Sequence, residues 1–511
     1  MALAPEPRDN SAVRRRDLAG AWLAVSCAAG PEPAAPSSLG VSSGQEPPAA
    51  STVGTTSAAS RDIAAVEYFG ARYPRSNLPA AGTGVGSLGY GTWIKPKPRS
   101  ESLSLGSVRV AGSVPILDPE PVRGDGKCPR FVRVEHGFVC AGRRATLDMR
   151  SAWMQAGRWT EPAPGVMPYQ YALSVGAPML SRPVPATELR WKIGKREQPR
   201  MEGAMEGHDE LAEMAPIEPN GPMPDFLRDD AKAPGPRGEQ QRTFLGHFPA
   251  GNMIAFTRAF EAYGETWVLT TELSVIPARG LKRFRVSKFR GVELGSGLEL
   301  PIAWMRKRDR PKWRKADDGF VETGERWPVK THVGLTGREE ASEKRRFLET
   351  REPGVYIAAS DATRVDADPK VPRQVNPGGK WIHVRAGLGT LTLYEGDKPV
   401  FSTLVSPGKI NPTPRGRFFI ESKHHYSSMG SGLGSFWIAD VPWTIYFERP
   451  FAIHASYWHE DFGQRKSGGC INLSPLDAAR VFDWVDPALP SGWDTVQTGA
   501  MGGRTLVWVE S

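Results

Sequence analysis

The sequence predicts a mostly β, α+β protein: a compact C-terminal domain of strands with one main helix, preceded by smaller β units and a disordered N-terminal tether. Three observations lead there. Short runs of alternating apolar and polar residues fill the second half of the chain. Gly and Pro, 55 and 46 of 511 residues, interrupt the sequence too often for long helices. One segment, SPLDAARVFDWV, carries a complete helix signal. In it Ser474 suits the N-cap, Pro475 the first helical position and Asp477 a capping acid, while Ala478, Val481, Phe482 and Val485 recur at helical spacing and should face the core.

A length of 511 residues allows about three domains. No run of apolar residues is long enough to span a bilayer. The formal charge of +9 suits attraction to anionic surfaces such as cell-wall polymers, lipid headgroups or nucleic acid. Basic residues are nevertheless interleaved with acidic ones, and the densest cluster, MRKRDRPKWRK at 305–315, reads as a solvated loop. No nucleic-acid partner is expected.

Taken in order, residues 1–27 place RRRD before the apolar run LAGAWLAVSC, the layout of an export signal. The run ends in Ala24, Val25, Ser26 and Cys27, which resembles the lipobox of bacterial lipoproteins and implies acylation of Cys27, hence a membrane lipid anchor. A disordered tail behind a start codon placed too early is the alternative. Residues 28–65 are almost all Ala, Pro, Ser, Gly and Thr, too poor in apolar surface to fold, and should form a tether.

Residues 90–145 hold short strands between turns and resemble a bacterial SH3-like module, with Phe131 in the aromatic position and GFVCAG as the closing strand. In that family such modules bind wall peptides; a bare packing module is the other reading. Cys128 and Cys140 bracket two β-type runs about a turn, so in an oxidising envelope they should form a disulfide rather than two buried thiols. Residues 146–370 read as an irregular β-rich region holding further SH3-like units, with an irregular loop at 200–224. A weak internal echo links 266–284 to 346–365 as a duplicated β unit or as chance. The compact C-terminal domain of alternating strands spans 378–511.

Within it lies IHASYWHEDFGQRKSGGCINLSP, where Cys470 follows His454 by 16 positions. Cys470 and Asn472 alternate with Ile471 and Leu473 as on a half-buried strand. Gly468 and Gly469 let successive backbone N–H groups turn toward one spot beside the sulfur, an arrangement that stabilises an oxyanion. A nearby imidazole would take the thiol proton. Two other readings stay open from the residues alone: a structural thiol, and a metal site using His454, His459 and Cys470 with Glu460 or Asp461, though without the usual zinc spacing.

The segment resembles the signature of the L,D-transpeptidases: a histidine, a spacer, then Ser/Thr-His-Gly-Cys-apolar-Asn. Here those positions are His454, Ser467, Gly468, Gly469, Cys470, Ile471 and Asn472. VPWTIYF, YWHEDFG and NLSPLDAARVFDWVDP flank it in keeping with bacterial members, as does SPGKINPTPRGRFFI upstream. One departure stands out: Gly468 replaces the family's second histidine.

The resemblance implies a β-sandwich-like catalytic domain at the periplasmic side of the cell envelope, acting on peptidoglycan stem peptides. Cys470 would be the nucleophile and His454 its base, with the Ala455 carbonyl orienting the imidazole. Gly468, Gly469 and Cys470 would supply oxyanion donors, supported by Ser467 and Asn472. Trp443, Tyr446 and Trp458 are candidates for lining the donor groove. His459 is a candidate there too, with structural packing as its more ordinary role. A donor tetrapeptide and an acceptor amine are the implied partners, with no metal, nucleotide or organic cofactor. Hydrolysis of the same thioester, an L,D-carboxypeptidase reaction, and a degenerate wall-binding lipoprotein are the alternatives.

Overall fold

The structure, a computed structural model, describes residues 65–68, 71–74, 84–89, 92–193, 209–228, 235, 243–342, 345–367, 370–409, 412–430 and 436–511. The export segment with Cys27 and the tether up to residue 64 lie outside the described residues, as does 200–208 of the tract expected to be an irregular loop.

The C-terminal domain runs β1 (Lys380–Arg385), β2 (Thr390–Glu395), β3 (Lys398–Leu404), β4 (Gly416–Phe419), β5 (Ser422–Gly430), β6 (Trp437–Glu448), β7 (Phe451–Ala455), β8 (Ile471–Leu473), α1 (Pro475–Trp484), β9 (Trp493–Gln497) and β10 (Leu506–Glu510). One sheet has the order β3–β2–β1–β10–β4, with β1 and β10 parallel. The other runs β9–β5–β6–β7–β8 and is parallel only between β7 and β8.

Between them lies one core. Ile382, Val384, Leu391 and Leu393 come from the first sheet; Ile445, Phe447, Ile453, Ala455, Ile471 and Leu473 from the second; Val481 and Phe482 from α1. Full burial of each large aliphatic or aromatic side chain favours folding by roughly 1.5–3 kcal/mol, so this alternation fixes which face of β7 and β8 points inward.

The helix begins as its sequence predicts, with Ser474 Oγ accepting the Asp477 N–H at 3.2 Å. The Asp477 carboxylate does other work: it accepts from Thr403 Oγ1 at 2.5 Å and from the Gly291 N–H at 2.8 Å, tying the helix start to β3 and to the preceding unit. At the far end the buried Lys423 Nζ donates to the carbonyls of Val485 and Pro487 at 2.6 and 2.8 Å.

The N-terminal β unit shares its core with the catalytic domain. Val85, Ile94, Leu105, Val132 and Val139 pack against Trp493 and Val496 of β9. Its strand Gly106–Val108 pairs antiparallel with β9. A Cβ at position 106 would meet the Thr495 carbonyl oxygen at 2.1 Å, so only glycine permits that approach. Cys128 and Cys140 are joined by a disulfide across the adjoining hairpin, with Cα atoms 6.1 Å apart.

The described residues of 146–370 include regular sheets. Gln170–Ser174, Met253–Ala262, Glu265–Thr270 and Leu281–Phe284 build a unit that meets β6 at Met253 and Ile438. A further sheet spans Ile302–Trp304 to Thr363–Val365. The stretches 266–284 and 346–365 both fold as a hairpin plus a third strand, but the third strands join different partners, Gln170–Ser174 and Ile302–Trp304.

The basic cluster at 305–315 is a loop only as far as residue 309. Arg310–Ala316 forms a hairpin with Gly319–Trp327, Trp313 turning inward while Lys312 meets Glu325 and Glu352 at 3.0 and 3.3 Å. Alternation across a strand, with acidic partners opposite, absorbs those charges.

Candidate active site

The register of β7 on β8 builds the site. The two strands run parallel with Ile453 opposite Ile471, His454 opposite Asn472 and Ala455 opposite Leu473. Register partners share a face. Ile453, Ile471, Ala455 and Leu473 enter the core, so His454 and Asn472 face the other way. Cys470, just ahead of β8, packs with Ala452 and Tyr446 on that same outer face. Cys470 and His454 therefore lie on one face of neighbouring strands, a single diagonal step apart. Both are enclosed, at 1% and 3% exposure.

His454 is held in one orientation. Its Nδ1 lies 3.0 Å from the Ala455 carbonyl oxygen. A carbonyl only accepts, so Nδ1 carries the proton and Nε2 presents a lone pair. Burial pushes the imidazole pKa down to about 4, against the opposing pull of the Ala455 bond. The ring is thus neutral near pH 7 and chemically fit to accept a proton.

Ser467 organises the turn before the cysteine. Its Oγ donates to the Cys470 carbonyl at 2.5 Å and accepts the Gly469 N–H at 3.1 Å. Gly469 has φ +136°, a conformation side chains beyond glycine avoid. The Gly469 N–H, expected from the sequence to turn toward a spot beside the sulfur, is given to Ser467 in this structure. Gly468 stands in the same turn.

The turn is clamped from behind by the segment after β3. Lys466 and Ser467 amides reach the Pro407 carbonyl at 2.9 and 3.3 Å, and Lys409 N–H reaches the Ser467 carbonyl at 2.8 Å. Ser406 and Asn472 exchange both backbone hydrogen bonds, at 2.9 and 3.0 Å. Ser406, Pro407 and Lys409 thus hold the cysteine loop through backbone hydrogen bonds.

His459 has a structural role. Its Nδ1 accepts the Asp461 N–H at 3.2 Å, which leaves the ring proton on Nε2, 3.0 Å from the Asn472 side-chain amide. The amide oxygen is the atom able to accept there. With both ring nitrogens engaged and no exposure, His459 neither lines a groove nor serves as a second base. Of the two acidic residues open as a fourth metal ligand, Glu460 meets Lys330 at 2.7 Å and Arg285 at 3.5 Å, and Asp461 meets Lys466 at 2.5 Å. Among the described residues, no three His, Cys, Asp or Glu side chains gather as a metal would require.

The aromatic candidates divide. Tyr446 packs against Cys470, and the Trp458 ring stands 6.0 Å from that of His454. Trp443 belongs to the core instead: its Nε1 donates to the Val166 carbonyl at 2.6 Å and its ring meets Phe482 of α1 at 5.3 Å. Residues that sequence reasoning missed also sit on the face that carries Cys470. Ser422 is the register partner of Tyr446, and His424 Nε2 lies 3.0 Å from Ser422 Oγ. The alternation of Ser422 with His424 along β5 was the available signal.

Residues 379–501 match the L,D-transpeptidase catalytic domain, the YkuD family. No curated protein matches the chain closely enough to count as a relative. Among solved structures, the chain is similar to an L,D-transpeptidase (Yku) from Stackebrandtia nassauensis, with 23% identity over 27% of this chain and 58% of that one, at a TM-score of 0.20. An L,D-transpeptidase from Mycobacterium smegmatis shows 18% identity over 40% of this chain and 79% of its own, at a TM-score of 0.22. The catalytic domain of the E. faecium L,D-transpeptidase shows 22% over 26% and 98%, at a TM-score of 0.20.

Proposed function

We propose that this chain is an exported, cysteine-dependent L,D-transpeptidase that joins diamino-acid residues of peptidoglycan stem peptides. The observation carrying the reading is the β7–β8 register, which sets Cys470 and a tautomer-locked His454 on one face. In the reactive thiol form, Cys470 passes its proton to His454 Nε2 as Sγ attacks the carbonyl of the diamino-acid residue in a donor tetrapeptide. The C–N bond to the terminal D-Ala breaks, and His454 returns the proton to the leaving amine. A thioester remains. The amine of a second stem then attacks it, His454 takes the amine proton, and the new amide forms as Cys470 Sγ is released and reprotonated. Water in place of the amine would give the L,D-carboxypeptidase reaction.

An envelope location, lipid anchoring through Cys27 and wall contact through the N-terminal β unit belong to the same proposal, resting on the export-like and lipobox-like segments. A second reading, a wall-binding lipoprotein with a degenerate catalytic domain, is favoured by one observation: Gly468 occupies the position of the family's second histidine. A carbapenem separates the two. The transpeptidase gains one covalent adduct in intact-protein mass, lost in Cys470→Ala. A wall binder gains none yet still sediments with sacculi.

A further inference from the structure

We propose that Arg449 binds the terminal carboxylate of the donor stem, making the face around Cys470 a chain-end-specific site. The inference rests on the transpeptidase reading and adds to it a substrate-recognition residue.

Arg449 lies in the turn between β6 and β7. Its guanidinium stands over the Tyr446 ring, 4.7 Å from the centroid, and its Nη2 donates to Ser422 Oγ at 2.7 Å. Tyr446 and Ser422 are register partners, and Tyr446 is in turn the partner of Ala452. Tyr446, Ala452 and Cys470 pack together. The cation therefore stands on the catalytic face, one side chain away from the sulfur.

Its surroundings fix its orientation without using it up. Burial pushes His424 down to about 3, so its neutral Nε2 accepts the Ser422 hydroxyl proton and leaves the Ser422 lone pairs turned to Arg449. The Arg449 Nε meets Glu421 at 3.2 Å, but both side chains are about two-fifths exposed, at 40% and 42%. An ion pair that open to water contributes only about 0–1 kcal/mol, so a substrate carboxylate competes with it readily.

Chemistry supplies the ligand. A reaction that displaces one terminal residue must distinguish a chain end from a continuing chain, and the end differs by its carboxylate. The planar guanidinium fork matches a carboxylate in two parallel hydrogen bonds. In a stem longer by one residue, the carboxylate would lie about 3.5 Å further along, beyond the fork.

The test uses two tetrapeptides of the same sequence, one ending in a free carboxylate and one in a carboxamide. Thioester formation on the full chain is followed by intact mass, together with release of D-Ala or its amide. The wild type should acylate about 10–100-fold faster with the free acid, the range of a charge-assisted hydrogen bond. Arg449→Gln should remove that preference by slowing the acid far more than the amide, and an unchanged melting temperature shows that the variant is folded. Arg449→Lys should restore part of the preference. An acid-to-amide ratio that survives in Arg449→Gln overturns the inference alone. A wild type acylated by neither peptide removes the transpeptidase reading and this inference with it.

Discussion

The Nδ1 of His454 donates to the carbonyl oxygen of Ala455, the next residue along β7, at 3.0 Å. A residue thus uses its own strand to set its tautomer. The proton-accepting nitrogen is left facing the side of the sheet where Cys470 packs.

His454→Ala should consequently slow Cys470 acylation by about 10²–10⁴-fold, the usual share of a positioned general base. Time-resolved intact mass with a carbapenem measures it. A near-normal rate would remove His454 from the mechanism.

The buried ring also sets a pH range. With its pKa pushed down to about 4, His454 stays neutral across the range where an ordinary histidine gains a proton. The acid limb of the acylation rate should therefore fall near pH 4, and a midpoint near 6.5 would show an ordinary, exposed imidazole. The stability contribution follows the same sign. It is complete above about pH 6.5 and is lost as pH falls toward about 4, because the unfolded chain binds the extra proton.

Asp494 works in the opposite sense. Burial first, and the nearby Asp440 second, push its carboxyl up to about 7. Its contribution is complete below the ordinary carboxylate range and is lost as pH rises through about 7. Asp494→Asn should then raise the melting temperature more at pH 8 than at pH 5, the gain at pH 8 reflecting a few kcal/mol on the order expected for such a shift. Equal melting shifts at both pH values would contradict this.

Much of the site was legible in the sequence because its parts are local. Alternation around Ile453 and Ile471 marked β7 and β8, and the spacing of Ala478, Val481, Phe482 and Val485 marked α1. The same period-two rule separates Trp443 from Tyr446, since Trp443, Ile445 and Phe447 face the core while Tyr446 does not. Grouping both in a groove overlooked it. Other features depend on pairs far apart in the chain. The His459–Asn472 contact, the Ser406 clamp and the Trp493 contribution to the N-terminal core arise only once strands are placed, and nothing local announces them.

Ser467→Ala tests the loop. It removes the acceptor of the Gly469 N–H and a donor to the Cys470 carbonyl, and a buried polar group left unpaired costs about 1–3 kcal/mol. A lower melting temperature and slower acylation are expected, with Ser467→Thr closer to the wild type. Unchanged melting in the alanine variant would show that the hydroxyl does not hold the turn.

The shared core at β9 predicts cooperative unfolding. Replacing Cys128 and Cys140 by alanine together should cost about 2–4 kcal/mol. Because Trp493 and Val496 belong to both units, the loss should appear in one transition that includes the catalytic sheet. A separate low-temperature transition would instead mark the N-terminal unit as independent.

The decisive measurement is the mass of the full chain, kept reduced, after brief exposure to a stem tetrapeptide. The account predicts one added tripeptide acyl group on wild-type protein, with one equivalent of D-Ala released, and neither in Cys470→Ala. An adduct that persists in the alanine variant, or none on the wild type, would contradict it.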